Sequence, residues 1–135
     1  MEFPKPDPDL KLRFLWLGIG YALVLLVVFM SLTSSPIDMG ELFPYEDKVY
    51  HAFAYFTLMA WFGQIYHDRF QRNMIAFVFI FMGVLLEYLQ SFDPNRMAEF
   101  ADMVANTTGV ALGFWLALGP LRNTLLNFER VIFRN

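Results

Sequence analysis

Cysteine is absent from this 135-residue chain. That excludes disulfides, thiolate metal ligands and a cysteine nucleophile, and it leaves the redox compartment open. Charge is sparse as well: Lys and Arg together number 10, and charged residues make up 17% of the sequence. No dense basic stripe with interleaved aromatics exists, so nucleic acid is not expected as a partner at either face. Repeats with a period of about 20 to 50 residues and low-complexity runs are also missing. The length allows one domain, spanning 1–135, with little left over for loops.

What is present is apolar. Hydrophobic residues reach 57% and aromatics 19%, more than a soluble domain normally carries. They gather in four spans, at about 14–32, 49–66, 74–92 and 103–121, with 122–135 left as a tail. The first span covers about 28 Å at ~1.5 Å per residue, close to the ~30 Å thickness of the hydrocarbon layer. It exceeds the roughly 7–15 apolar residues of a cleaved signal peptide, and Asp7 and Asp9 dilute the basic segment before it, so it reads as a retained anchor. Pro36, after Ser34 and Ser35, ends helical structure past the membrane. Asp93-Pro94 predicts an N-cap and first-turn proline that start the fourth helix well before the membrane. In the tail, Leu121, Leu125, Phe128 and Ile132 recur at three- and four-residue intervals, the pattern of a short helix resting on the inner leaflet. The proline-rich start, Phe3 to Pro8, reads as an unstructured cap.

Charge bias orients the spans. Lys5, Lys11, Arg13, Arg69, Arg72, Arg122, Arg130 and Arg134 fall on one side, against Lys48 and Arg96 on the other. The positive-inside rule then gives N-in, C-in topology in a bacterial cytoplasmic (inner) membrane. The expected fold is all-α: an integral membrane four-helix bundle with a short C-terminal interfacial helix. The outer segments hold two basic residues and eight acidic ones.

Helical spacing sorts the polar residues of three spans onto single faces at the outer end. Span two places Asp47, Lys48, His51 and Tyr55 on one arc; span three places Gly83, Glu87, Gln90 and Ser91; span four places Glu99, Asp102, Asn106, Gly109 and Gly113, with Arg96 beside them. Glu87 is the most informative, because it sits near the C-terminal end of its helix, where the dipole disfavours a negative charge. It should pair with Lys48, His51 or Arg96 or stay protonated, and a poised carboxyl can act as general acid or base. A plain interfacial salt bridge to Arg96 explains it equally well. Asp47 and Asp102 near helix starts are also ordinary caps, and His51 below Asp47 is either a proton shuttle or a packed imidazole. Lys48 and Arg96 either neutralise the acidic residues or receive a phosphate or carboxylate. A metal set of His51, Glu87 and Asp102 lacks a close ligand motif such as HExxH, so neither metal nor cofactor is expected. Gly109 and Gly113 form a GxxxG pair that reads as a helix-packing seam.

At these residues the sequence resembles the VanZ-like family of small integral membrane proteins. The pattern is Ser31-Leu32-Thr33-Ser34-Ser35-Pro36, Asp47-Lys48-x-x-His51 leading to Tyr55, Glu87-x-x-Gln90, Pro94-Asn95-Arg96, and Asp102-x-x-x-Asn106-x-x-Gly109-x-x-x-Gly113. It covers about Phe14 to Leu121, and departs at Asn95, where the family tends to have glycine. The resemblance implies a small membrane protein of the cell envelope, in a family whose name derives from a protein linked to teicoplanin resistance.

Two functions are therefore expected. In the first, an outer pocket engages a membrane lipid or lipid-linked envelope component. Glu87, His51, Asp47 and Asp102 are its catalytic candidates, and Lys48, Arg96, Gln90, Asn106 and Tyr55 its ligand-binding ones. In the second, the same residues hold together a non-catalytic scaffold that engages a partner membrane protein or a second copy of the chain. A transporter is disfavoured, since Gln64 and Thr57 are the only obvious polar residues in the inner halves of the spans.

Overall fold

A computed structural model describes residues 6–33, 46–94 and 99–134. The described residues contain five α-helices and no strand: α1 Arg13–Leu32, α2 Glu46–Ile65, α3 Arg69–Gln90, α4 Phe100–Leu118 and α5 Thr124–Ile132. Three of them, α1, α3 and α4, are long and apolar enough to cross a membrane. Their flanks carry exposed Phe14, Leu25, Phe29, Phe77, Phe81 and Trp115, an apolar exterior suited to lipid rather than water.

The 20-residue α2 is not among the three, so three of the four expected spans are matched. Its place in the bundle supplies the reason. It packs against α1, α3, α4 and α5 and contributes Tyr55, Leu58, Met59, Phe62 and Ile65 to the core. A helix covered by its neighbours can carry Lys48, His51 and Gln64 at low cost, because those groups meet protein instead of hydrocarbon.

Its closest partner is α4, through the expected glycine seam. A Cβ at Gly109 would lie 2.1 Å from the Ala52 carbonyl oxygen, and one at Gly113 would lie 2.7 Å from that of Phe56. Further along, a Cβ on Gly63 would meet that of Ala117 at 2.5 Å. The missing side chains let the two backbones touch, as small residues do in membrane helix pairs.

Helix ends follow local chemistry. Asp68 caps α3 by accepting from the Gln71 N–H at 3.1 Å. Arg72, read from the sequence as a marker of the turn, is buried, and its guanidinium donates to the carbonyls of Gly63 and Tyr66 at 2.7 Å each, closing the C-terminal end of α2 where positive charge is favoured. The Gln64 side chain bridges the α4–α5 turn, donating to Leu121 O and accepting from Thr124 N, while the Thr57 hydroxyl bonds within its own helix to Phe53 O. Neither residue outlines a transport path.

Two terminal expectations change. Asp93 does not cap α4: its N–H bonds to Gln90 O in the turn that ends α3, and α4 starts at Phe100 after an extended Glu99. At the other pole, the segment from residue 6 is docked rather than loose. Asp7 N–H bonds to Ile65 O at 2.7 Å, the Asp7 carboxylate meets His67 Nδ1, and Leu10 is fully buried. The tail helix α5 does more than lie on a surface. Leu125 enters the core, Phe128 stacks edge-on against Trp16 at 6.0 Å, and Val131 and Ile132 face outward.

Candidate functional site

Three helices converge at one pole, where α3 ends and where α2 and α4 begin. On α2, Asp47, Lys48, His51 and Tyr55 descend from rim to interior at the helical spacing, and α4 descends beside it with Glu99, Asp102 and Asn106. The side chains of Asp47 and Glu99 are 62% and 46% exposed, that of Asp102 only 6%. Glu87, Tyr55 and Asn106 are buried. The result is a polar funnel, open at the rim and closed by Tyr55.

Lys48 stitches α2 to α4. Its ammonium lies 2.7 Å from Asp47 Oδ2, 2.9 Å from Glu99 Oε2 and 2.8 Å from Asp102 Oδ1. The ammonium donates to Asp47 and Glu99 and pairs by charge with Asp102, so an incoming anion competes with Asp47 and Glu99 at the rim. One turn deeper, His51 Nδ1 sits 3.1 Å from Asn106 Oδ1, and its Nε2 is 3.9 Å from Asp102 Oδ2. Asn106 Oδ1 is placed to accept from Nδ1 in the tautomer that leaves Nε2 free to face Asp102.

Glu87 comes from the unfavourable end of its own helix, and the structure supplies the compensation that its neighbours in sequence do not. Its Oε1 accepts the backbone N–H of Glu99 at 2.8 Å, at the N-cap of α4. The positive end of one helix thus faces the carboxylate at the negative end of another. Gly83, one turn back on α3, leaves room for the site: a Cβ there would lie 3.2 Å from Asn106 Cβ and 3.4 Å from Tyr55 Cε1.

The site residues expected from the sequence are mostly brought together. Asp47, Lys48, His51, Tyr55, Glu87, Asp102 and Asn106 share the funnel. Gln90 does not join them, because its amide donates to Ser31 O at 2.7 Å and fastens α3 to the end of α1. Arg96 lies outside the described residues. Glu99 was placed on the polar arc without a role, yet it binds Lys48 through its carboxylate and Glu87 through its backbone. The carboxylate was readable by spacing, but the backbone donor leaves no mark in sequence. Among the described residues, one group could hold a metal ion: His51, Glu87 and Asp102, each offering a ligand atom within 4.8 Å of the others. A cleft of about 300 Å³ lies at the opposite pole, lined by Asp9, Lys11, Leu126, Glu129, Arg130 and Phe133, and its buried carboxylate, Glu129, is committed to α1.

A family model described as VanZ/LLP1 matches residues 14–122, most of the chain. No curated protein and no solved structure matches it.

Proposed function

The chain belongs to the VanZ/LLP1 family, and from that premise we propose that its funnel binds the head group of a lipid-linked envelope component and acts on it by proton transfer. In this reading α2 crosses the membrane with α1, α3 and α4, the termini face the cytoplasm of a bacterial cell, and the funnel opens among the outer headgroups. The excess of basic residues at the opposite pole supports that orientation. Envelope chemistry at that depth is where susceptibility to a lipoglycopeptide would be altered.

One observation carries the proposal. Glu87, 2% exposed, accepts the Glu99 backbone N–H beside an imidazole and a second buried carboxylate, Asp102. Glu87 is the acid or base, His51 with Asp102 relays the proton, Asn106 fixes the ring, and Tyr55 closes the floor. The hydrophobic part of the ligand stays in lipid beside α3 and α4.

The scaffold reading also has a specific observation in its favour, the three-carboxylate grip of Lys48 across α2 and α4. Stability separates the two. Glu87→Gln is expected to keep the melting temperature of the metal-free, detergent-solubilised protein within a few degrees or raise it, as relaxed active sites do, while abolishing any change in envelope-drug susceptibility that the parent confers on expression. A clear fall in melting temperature would favour the scaffold. Full retention of the phenotype at normal expression would remove Glu87 from the chemistry.

A further inference from the structure

We propose that His51, Glu87 and Asp102 bind a divalent transition-metal ion of the zinc–manganese class. The three residues come from three different helices, α2, α3 and α4, and their ligand atoms already lie within 4.8 Å of one another. An ion with bonds of about 2.0–2.2 Å sets its donors roughly 3.3 Å apart in a tetrahedron. The 3.9 Å between His51 Nε2 and Asp102 Oδ2 needs to close by about 0.6 Å, and a separation at the 4.8 Å limit of the triad by about 1.5 Å, which side-chain torsions can supply.

The surrounding bonds are those that a metal site requires. Metal-bound histidine usually donates its second ring N–H to an acceptor, which fixes the tautomer and aims the free lone pair. Asn106 Oδ1 performs that role for His51. Each carboxylate also has one oxygen held from outside the triad: Glu87 Oε1 by the Glu99 N–H and Asp102 Oδ1 by the Lys48 ammonium. Fixing one oxygen orients the other.

Electrostatics point the same way, independently of the geometry. Asp47, Glu99 and Asp102 share a single described ammonium, that of Lys48, and Glu87 adds a fourth carboxylate to the cluster. Two of the four carboxylates are buried, where uncompensated negative charge is costly. A divalent ion between His51, Glu87 and Asp102 offsets both. One nitrogen and two oxygens without sulfur suit zinc or manganese and leave a coordination position open toward the rim.

The ion itself stands on these residues alone; its task rests on the preceding reading of the funnel. There it converts an acidic pocket into an acceptor for an anionic oxygen, such as a lipid phosphate.

The test uses full-length, tag-free protein in detergent, stripped with chelator and reloaded with Zn²⁺ or Mn²⁺ alone. One ion per chain, removed by chelator with a fall in melting temperature, is expected. His51→Gln and Asp102→Asn should each weaken binding at least tenfold, while Thr108→Val, exposed on α4, leaves it unchanged. Co²⁺ reports the same site by visible absorption, which His51→Gln should abolish. Absence of stoichiometric ion from the folded parent, or equal binding by parent and His51→Gln, overturns the site. A proton on Nε2 then explains the triad. Stoichiometric metal together with a phenotype that Glu87→Gln leaves intact would keep the ion and discard the head-group chemistry, so the two failures are distinguishable.

Discussion

Gly109→Val should all but eliminate the folded protein. Even the first carbon of the new side chain would sit 2.1 Å from the Ala52 carbonyl oxygen, 2.9 Å from its carbon and 3.0 Å from the Phe56 nitrogen. These are backbone atoms inside a helix, with no rotamer to change, so α2 and α4 must move apart along the whole seam. Overpacking of a rigid core costs about 1–3 kcal/mol and more when nothing yields. Here the upper end or beyond is expected, because separating these helices also pulls Lys48 from Asp102 and His51 from Asn106. Gly113→Ala, at 2.7 Å from Phe56 O, should be milder. Gly18→Val is the control: on α1, nothing lies within 4 Å of a Cβ there, so its melting temperature should match the parent's. If Gly109→Val melts as hot as Gly18→Val, the seam is not where the structure puts it.

Glu129→Ala is expected to have the next largest effect, at the opposite pole. The Glu129 carboxylate accepts the Lys11 N–H, the Leu12 N–H and the Trp16 indole N–H, each at 2.7 Å. One buried side chain thus satisfies the start of α1 across more than a hundred residues of sequence, and its charge faces the positive end of that helix. Deleting it strands three donors, one of them a buried indole, at a cost of about 3 kcal/mol. Glu129→Gln keeps an acceptor oxygen but turns an amide N–H toward other donors, and should fall between.

The same group predicts a pH dependence. Burial alone would raise the Glu129 carboxyl, but the bonds from Leu12 N–H, Trp16 and Lys11 N–H outweigh it and hold the carboxyl below the usual glutamate range. A folded value lower than the unfolded value of about 4.3 means that its stabilisation is complete above that pH and is lost as pH falls through the folded value. Thermal melts of the parent should therefore weaken on the acid side of about pH 4 more steeply than those of Glu129→Gln. Parallel curves would show that the three donors do not distinguish carboxylate from acid.

Much of this was legible in sequence because it repeats locally. Apolar runs located the helices to within a few residues, and the 3.6-residue period placed Asp47, Lys48, His51 and Tyr55 on one side of α2 with no structural help. GxxxG read correctly as a seam. What sequence could not supply were bonds between distant residues. Nothing near Glu129 indicates that it serves the start of α1, and nothing near Gln90 indicates Ser31. Asp93-Pro94 misled because the backbone is extended at Glu99, which stands at the N-cap of α4 and separates that signal from the helix it was expected to start. Apolar runs treated α2 as one span among four, although it is not among the helices apolar enough to cross a membrane by themselves.

That last feature bears on how the chain is made. A segment carrying Lys48, His51, Tyr55 and Gln64 partitions poorly into bilayer by itself, and its tightest mate, α4, is synthesised only after α3. If α2 crosses the membrane as proposed, it is expected to wait during biogenesis, sheltered at the insertion machinery or against α1, until the fourth segment arrives. Commitment to the membrane is then a late, cooperative event. Truncating the nascent chain before residue 100 would leave a hydrophilic stripe with nowhere to go.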